Sequence, residues 1–590
     1  MASTEIGTVE SVIGNSISIR MKDLYQSNMP VIDGVVYRIG QIGSFVKIPL
    51  GYAQLYGIVT EVGASAIPEA ILELAKTDPS VIQGNRWLKA VLVGEQVGNR
   101  FERGVLQSPT TGDTVHLVSI EDLKIVYGVE RNSVDESSII IGNISASESL
   151  DARIDLNKLL SRHCALLGST GSGKSNAVTV LLRSIAQRNF PSARILIIDP
   201  HGEYGDTLSD IANVFKIGAT NNETELEIPY WALPFDELIS IFPGSLNDGQ
   251  KDYIREKIYS MKLTNLQNHQ GVRTQSISVD SPIPFSIKQL WFELDDFERL
   301  TFENNRITPT KLVKAGSADQ LIPNEYPLCG LGSSAPFANN SRKGILSFLD
   351  GMKSRILDPR FSFLFNGKQY SPQISGAISN DIDQLFKSWL CHDKIASIID
   401  LSGVPPQIMQ SISGVLLKAI YDALFWAQKT SVGGKSQPLF VVLEEAHNYL
   451  KSGEDSSSSR IVQAIAKEGR KYGVGLLLVT QRPSELNETV LSQCGTMIAL
   501  RMNNAKDRSH ISGAMQDDLQ TMADVLSSLR TGEAIVTGEA VKIPSRIKIF
   551  RAPYSLKSSD PIVSKQWVKP KPDGKDYTQA ILNWRNQSFN

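Results

Sequence analysis

Cysteine is scarce in this sequence. Four occur in 590 residues, Cys164, Cys329, Cys391 and Cys494, and no two stand at CxxC spacing. That excludes a disulfide framework and a cysteine-rich zinc site. Cys164 lies in an apolar run and reads as a small core residue rather than a nucleophile. Net charge is nearly absent too. Lys and Arg number 60 against 62 Asp and Glu, a balance of −2, so any contact with a polyanion must come from a local patch. No run of about 18 apolar residues appears, which argues against a membrane span. The opening "MASTEIGTVESVIGNS" lacks the basic stretch and apolar core of a secretory signal. These absences lead to the expectation of a cytoplasmic protein with no membrane partner. What remains is ordinary: 41% apolar and 21% charged residues. The length suits roughly two to four domains.

Residues 1–128 read as an all-β module. "SISIRM", "VVYRIG", "SFVKIPL", "LYGIVTEVG", "WLKAVLVGEQV" and "VHLVSI" are short runs rich in β-branched residues, several of them set apart by glycine-rich breaks. They predict a small closed barrel. Residues 129–160 read as a polar connector. From about 161, apolar runs such as "CALLG", "RILIIDP", "IASIIDLSG", "LFVVLEE", "GLLLVTQ" and "TMIALRM" alternate with helix-like segments. Strands apolar throughout, with helices between them, predict a mainly parallel sheet covered on both faces. That α/β core is expected to span 161–218 and 391–550. A helical insertion fills 219–390, with a loop at 263–284, and an extended arm follows at 551–590. The tract "KSGEDSSSS", 451–459, is polar and Ser-rich.

"GSTGSGKS", Gly168 to Ser175, fits G-x-x-x-x-G-K-[ST] between an apolar strand and a helical segment, the context that gives this motif meaning. Gly168, Gly171 and Gly173 let the backbone of Ser169, Thr170 and Ser172 curl its N–H groups toward phosphate oxygens. The helix that starts near Lys174 adds its positive end, and Asn176 continues it. Lys174 is expected on the β- and γ-phosphates of ATP, and Ser175 on Mg²⁺. "LFVVLEE" then places two acids where a buried strand ends, a costly arrangement unless they face positive charge. Glu444 is expected on the metal side and Glu445 on the attacking water. Acids at a helix start would look the same. Asp199, ending "RILIID", and Glu203 four residues on compete for that role, with Glu203 as an auxiliary. His201 and His447 read as polar neighbours rather than metal ligands. Thr480 and Gln481 end "GLLLVTQ" beside the phosphate-loop strand, either sensing the γ-phosphate or capping the next segment.

One lysine and a metal leave part of the transition-state charge unmet, and an arginine from a neighbouring subunit often supplies the rest. "RIVQAIAKEGRKYG", 460–473, predicts a helix with Arg460, Lys467 and Lys471 on one face. Arg470 is the first candidate for the inserted arginine and Arg460 the second. A plain solvated basic face has the same pattern.

With these residues in place, the chain resembles the HerA helicase–translocase family, relatives of the FtsK motors. "RHCALLGSTGSGKSN", "IIDPHGEY", "IPYWALPFDEL", "DPRFSFLF", "IIDLSGVP", "LFVVLEEAHNYL", "AIAKEGRKYGVGLLLVTQRPS" and "LRTGEAIVTGEAV" carry the likeness in order. The resemblance implies a RecA-like ATPase core behind a barrel of the HerA and ATP-synthase kind. It implies a homohexameric ring with ATP at subunit interfaces and double-stranded DNA in a central channel. It also implies an effector partner: a NurA-type nuclease, a sirtuin-like NAD hydrolase or another nuclease, in DNA end processing or antiphage defence. By position it assigns Lys174 and Ser175 to ATP and Mg²⁺, Glu444 and Glu445 to metal and water, and Arg470 to the arginine acting in trans. Glu203 matches the acid of "HGEY". Glu444 departs from the Asp that many P-loop ATPases carry, and 263–340 carries none of the motifs that make the resemblance. Lys343, Lys353 and Arg355 are candidates for the DNA channel. The alternative reading is an ATP-gated scaffold that assembles and switches the effector, and the low net charge favours it.

Overall fold

The computed structural model describes all residues except 1–3, 23–30, 33–34, 37–39, 65–85, 129–136, 146, 221, 269–270, 304–306, 331–334, 452, 454–455, 515–521, 554–562, 569–574 and 587–590. Strands β1 to β9 are Glu5–Ile13, Ser16–Met21, Val31–Ile32, Val35–Val36, Phe45–Leu50, Ala53–Ala64, Arg86–Val97, Arg100–Arg103 and Thr114–Leu117. The next nine, β10 to β18, are Ser138–Ile144, Ser147–Asp155, Cys164–Leu167, Arg194–Asp199, Ala212–Lys216, Thr224–Glu225, Thr301–Phe302, Phe337–Ala338 and Ala396–Asp400. The last five, β19 to β23, are Leu439–Leu443, Val474–Thr480, Thr496–Leu500, Glu533–Gly538 and Ser545–Ile549. The chain divides into two compact units. The first holds 1–191, 438–454 and 463–556, and the second holds 192–437, 455–462 and 557–590.

The first unit opens with the barrel. Along β2, Ile17, Ile19 and Met21 are buried while Arg20 is exposed, the alternation a half-buried strand requires. The strands run β2-β1-β9-β5-β6-β7, and β2 also pairs with β7, so the ring closes with no free edge; β8 hangs on β7. Ile19, Ile48, Leu55, Val59, Leu88 and Val115 fill it. Bulges between Val9 and Ser11 in β1 and between Val59 and Glu61 in β6 supply the bend that closure needs. The pattern-based expectation missed β1, and "VVYRIG" reduces to the two-residue β4, part of the run lying outside the described residues. A helix, Ile120–Tyr127, ends the module with a Ser119 capping box and Gly128 in the left-handed region.

The connector expected at 129–160 is corrected by the structure. Residues 129–136 lie outside the described set, and β10 and β11 form an antiparallel hairpin whose β10 pairs with β23. Ile139, Ile141, Ile144, Leu150 and Ile154 are buried, and the less buried Asn143, Ser149, Asp151 and Arg153 dilute the apolar pattern in sequence. The strand order of this unit's second sheet is β11-β10-β23-β22-β21-β12-β20-β19. Within it β21, β12, β20 and β19 are mutually parallel, and β22 and β23 continue antiparallel. The parallel strands are buried at every position, as strands covered on both faces must be.

In the second unit β13, β18, β14 and β15 are parallel in that order. The insertion is mainly helical, with helices at Asp248–Asn265, Ile287–Arg299, Leu346–Leu357 and Ile382–Leu390, and the short pair β16–β17. Its core is aromatic: Tyr230, Phe242, Phe285, Phe348 and Phe365 meet at ring distances of 5.4–6.0 Å. Its irregular backbone is satisfied by buried charges. Glu298 accepts from the N–H groups of Lys343, Gly344 and Ile345 at 2.5, 2.9 and 3.3 Å. Glu227 accepts from Lys368, Gln369 and Tyr370. Lys262 donates to the carbonyls of Trp231, Val279 and Ser281, and burial pulls its pKa down to about 7. In the stretch expected as a loop at 263–284, the helix runs on to Asn265 and two 3₁₀ turns follow.

The helix Pro406–Trp426 contains a window long and apolar enough to cross a membrane, although polar residues interrupt it in sequence. Half of that window is buried inside the protein, with Ile412, Leu416, Leu417 and Ile420 in the core. In the arm expected to be extended, Val563–Trp567 and Lys575–Asn586 are helical. The 451–459 tract lies partly outside the described residues, and its end already belongs to the helix Ser457–Glu468.

Candidate nucleotide site

β12 ends at Leu167, the chain turns through 168–173, and a helix starts at Lys174. Gly171 (φ +72°) and Gly173 (φ +105°) hold backbone conformations that L side chains rarely adopt. A Cβ on Gly168 would come within 2.6 Å of Ser172 Oγ and 2.9 Å of Leu500 Cβ. The loop's shape is set from outside by main-chain bonds. Gly168 N donates to Thr480 O at 3.2 Å, Ser169 N to Arg501 O at 3.0 Å, and Gly532 N to Ser172 O at 3.0 Å. Asn503 N donates to Ser169 Oγ at 3.3 Å. The bracing segments 500–503 and 530–532 were missed as site elements, although "LRTGEAIVTGEAV" stood out as a motif. Lys174 Nζ reaches back over the loop to Ser169 O at 3.4 Å. The helix N-cap is Gly173, which has no side chain to fill the first turn.

Asn176, expected on the nucleotide, lies in the first turn of that helix. Its Nδ2 donates to Phe550 O and its Oδ1 accepts from Ala552 N, both at 2.8 Å. Its side chain is committed to the exit of β23.

β20 lies between β12 and β19. The residue that follows β20 therefore faces both the phosphate loop and the acids. Gln481 occupies that position. Its Oε1 accepts from Thr170 Oγ1, and its Nε2 donates to Glu445 Oε1 at 3.1 Å. Glu444 is buried, 6% exposed, with its Oε2 accepting from Glu445 N at 3.3 Å. Glu445 takes φ +48° and ψ +51°, the left-handed region where a non-glycine residue is strained by about 1–2 kcal/mol. His447, in the 3₁₀ turn Ala446–Asn448, brings Nδ1 to 3.2 Å from Glu445 Oε2 and 3.1 Å from Thr480 Oγ1. Thr480 Oγ1 also accepts from Arg482 N. Thr170, Gln481, Glu445, His447 and Thr480 thus form one continuous polar string.

Arg470 is exposed on the 3₁₀ turn Gly469–Tyr472, because the expected helix through 473 stops at Glu468. Arg460 is exposed in the second unit, as is His201; Glu203, half-buried, follows β13 there. Asp199 and Asp400 end the adjacent parallel strands β13 and β18 in register. Burial pushes the Asp199 carboxyl up to about 6, and the carboxylates of Asp400 and Glu203 add to the shift. Backbone N–H groups of His201, Gly202 and Tyr204 are bonded to it, and Lys216 pairs with Asp400 at 3.3 Å. Lys343, Lys353 and Arg355 stand over the rings of Tyr253, Trp291 and Phe361 inside the insertion.

A glycine-cornered loop leading a buried parallel strand into a helix, with a polar strand end linking it to an acid, defines a P-loop ATPase. Comparison with known proteins carries this further. The family described as "Helicase HerA, central domain" matches residues 139–420, and "Helicase HerA-like C-terminal" matches 411–579. The chain belongs to the HerA helicase family. The DNA double-strand break repair helicase HerA of Pyrococcus furiosus is 26% identical over 465 residues, 74% of this chain and 73% of that protein. The protein of the same name from Saccharolobus solfataricus is 27% identical over 464 residues, 78% of this chain and 77% of its own. Among solved structures, VirB4 of Thermoanaerobacter pseudethanolicus gives a TM-score of 0.45 at 16% identity, covering 72% of this chain and 99% of VirB4. The plasmid coupling protein TrwB with a non-hydrolysable ATP analogue gives 0.40 at 14%, covering 75% and 95%.

Proposed function

We propose that this ATPase is a motor that translocates along double-stranded DNA as a homohexameric ring and serves a partner effector. The observation that carries the reading is the string Thr170–Gln481–Glu445, which links a phosphate cradle to a carboxylate within a chain of the HerA family. The helicase names of its relatives supply the substrate class. Lys174 would neutralise the β- and γ-phosphates. Glu445 would take a proton from the attacking water, and Gln481 would orient that water or the γ-phosphate. Arg470 and, as second candidate, Arg460 are exposed, as an arginine offered to a neighbouring subunit must be. Glu203 remains the auxiliary acid.

Mg²⁺ fits the residues present. Glu444 is a buried carboxylate and Ser175 a hydroxyl in the first turn of the loop helix, both hard oxygen donors. Among the described residues no group of three or more His, Cys, Asp or Glu is placed to hold a metal. Two protein oxygens supplemented by phosphates and water are what Mg²⁺ accepts in such sites. The ion, when bound, offsets phosphate charge; Ser175 and Glu444 would hold it.

The effector would be a nuclease or an NAD hydrolase, in DNA end processing or antiphage defence. The net charge of −2 supports a second reading, an ATP-gated hexameric scaffold whose motor activity is secondary. Two measurements separate them. A motor hydrolyses ATP faster on duplex DNA and displaces a protein roadblock from it; a scaffold does neither, with or without its partner. Lys174→Ala is expected to abolish hydrolysis in both. Mixing Arg470→Ala with Glu445→Gln subunits is expected to restore part of the ATPase, and no recovery at any ratio rejects Arg470 as an arginine acting in trans.

A further inference from the structure

We infer that Phe550 is the platform on which the base of the bound nucleotide stacks, at the opposite end of the site from Gln481 and Glu445. This rests on the reading of those two residues as the groups at the γ-phosphate.

Strand order sets the direction in which the ligand lies. β20 and β19, which lead into Gln481 and Glu445, stand on one side of β12, and β21, β22 and β23 follow in that order on the other. The terminal phosphate must face the groups that orient and activate water. A nucleotide laid in the loop with that end toward β20 and β19 sends its base toward β21–β23. β21 is parallel to β12, β22 reverses the direction, and β23 reverses it again. β23 thus ends at the same edge of the sheet as β12, where the phosphate loop begins. Phe550 is the first residue past that end.

The backbone that carries the ring is tied to the cradle. Four hydrogen bonds fix it: Ile549 N to Gly532 O, Phe550 N to Ile141 O, Asn176 Nδ2 to Phe550 O, and Ala552 N to Asn176 Oδ1, at 2.8–3.0 Å. Gly532 N in turn donates to Ser172 O within the loop, and Asn176 is the neighbour of Ser175. The side chain, by contrast, is not drawn into the core. Ile547 and Ile549 are buried on one face of β23, while Phe550 follows the exposed Lys548 on the alternate face and is 42% exposed. Covering this ring with a planar base removes apolar area from water, and the fixed backbone keeps the further loss of freedom small. Stacking uses the π-face that all bases share and not their edges, so Phe550 sets the affinity for a nucleotide rather than the choice of base.

The test uses the full-length protein without nucleic acid. Titration calorimetry measures the affinity for Mg–ATP and for Mg–tripolyphosphate, which has the phosphates and no base. Wild type, Phe550→Ala, Phe550→Leu and Phe550→Tyr are compared, with the melting temperature of each. Phe550→Ala is expected to weaken ATP binding by roughly fivefold to a hundredfold, the range that loss of one base–aromatic stack gives, and to leave tripolyphosphate binding unchanged. Phe550→Tyr, which keeps the ring, returns ATP affinity toward wild type. Phe550→Leu, which keeps apolar bulk without a ring, stays near the alanine variant. Unchanged ATP affinity in Phe550→Ala, an equal loss for tripolyphosphate, or full rescue by leucine overturns the stack. If Phe550→Ala loses its melting transition, Phe550→Leu decides alone, and wild-type ATP affinity there overturns it. Wild-type protein that binds ATP but hydrolyses none, with or without DNA, would instead reject the motor reading, while the affinities of the Phe550 variants still decide the stack.

Discussion

The phosphate loop and the helical insertion both contain backbone that no ladder satisfies, and they hold it in opposite ways. The loop is fixed by main-chain bonds from strand ends, through Thr480 O, Arg501 O and Gly532 N. The insertion is fixed by side chains, with Glu298, Glu227 and Lys262 each gathering three backbone groups. Those charges are spent on the fold. Charged residues in the first region should therefore be separable from stability, and those in the second should not.

Three experiments break or sharpen that contrast. Glu445→Gln should lower hydrolysis by about 10²–10⁴-fold, the usual worth of a general base, while the melting temperature and ATP binding hold. Normal hydrolysis in that variant would move the role to Glu203. Glu298→Ala should do the reverse. It strands three N–H groups, that of Ile345 buried, and costs about 1–3 kcal/mol in urea unfolding, with nucleotide binding kept at low temperature. An unchanged unfolding midpoint would remove the distinction between the regions. The third effect lies between the two regions in kind. His163, at the entrance of β12, is buried, accepts from Leu476 N at 3.1 Å, and has its pKa pulled down to about 4 by burial. A histidine with a depressed pKa contributes stability above the unfolded value near 6.5 and loses it as pH falls toward 4. Lowering pH from 7 to 5 should thus cost about 2 kcal/mol from this residue. His163→Gln should flatten that part of the pH profile; an identical slope would place the titration elsewhere.

The parallel strands were legible because burial on both faces leaves nothing but apolar residues, as in "CALL" and "LFVVL". The phosphate loop was legible because its glycines are demanded by local backbone geometry, which short-range sequence encodes. The hairpin β10–β11 was not, since its polar face broke the apolar pattern and made it read as a connector. The left-handed turn at Glu445 was also hidden, because a glutamate gives no signal for positive φ. Thr170 and Gln481 are 311 residues apart, and only the placement of β20 between β12 and β19 brings them together. The side-chain partners of Asn176, 374 and 376 residues away, were hidden for the same reason.

Asn176 sits one residue after Ser175, and its amide pins the chain at Phe550 and Ala552. Both bonds end on main-chain atoms, the Phe550 carbonyl and the Ala552 N–H, so the tether between the loop helix and the exit of β23 does not depend on which side chains stand there, proline at 552 apart.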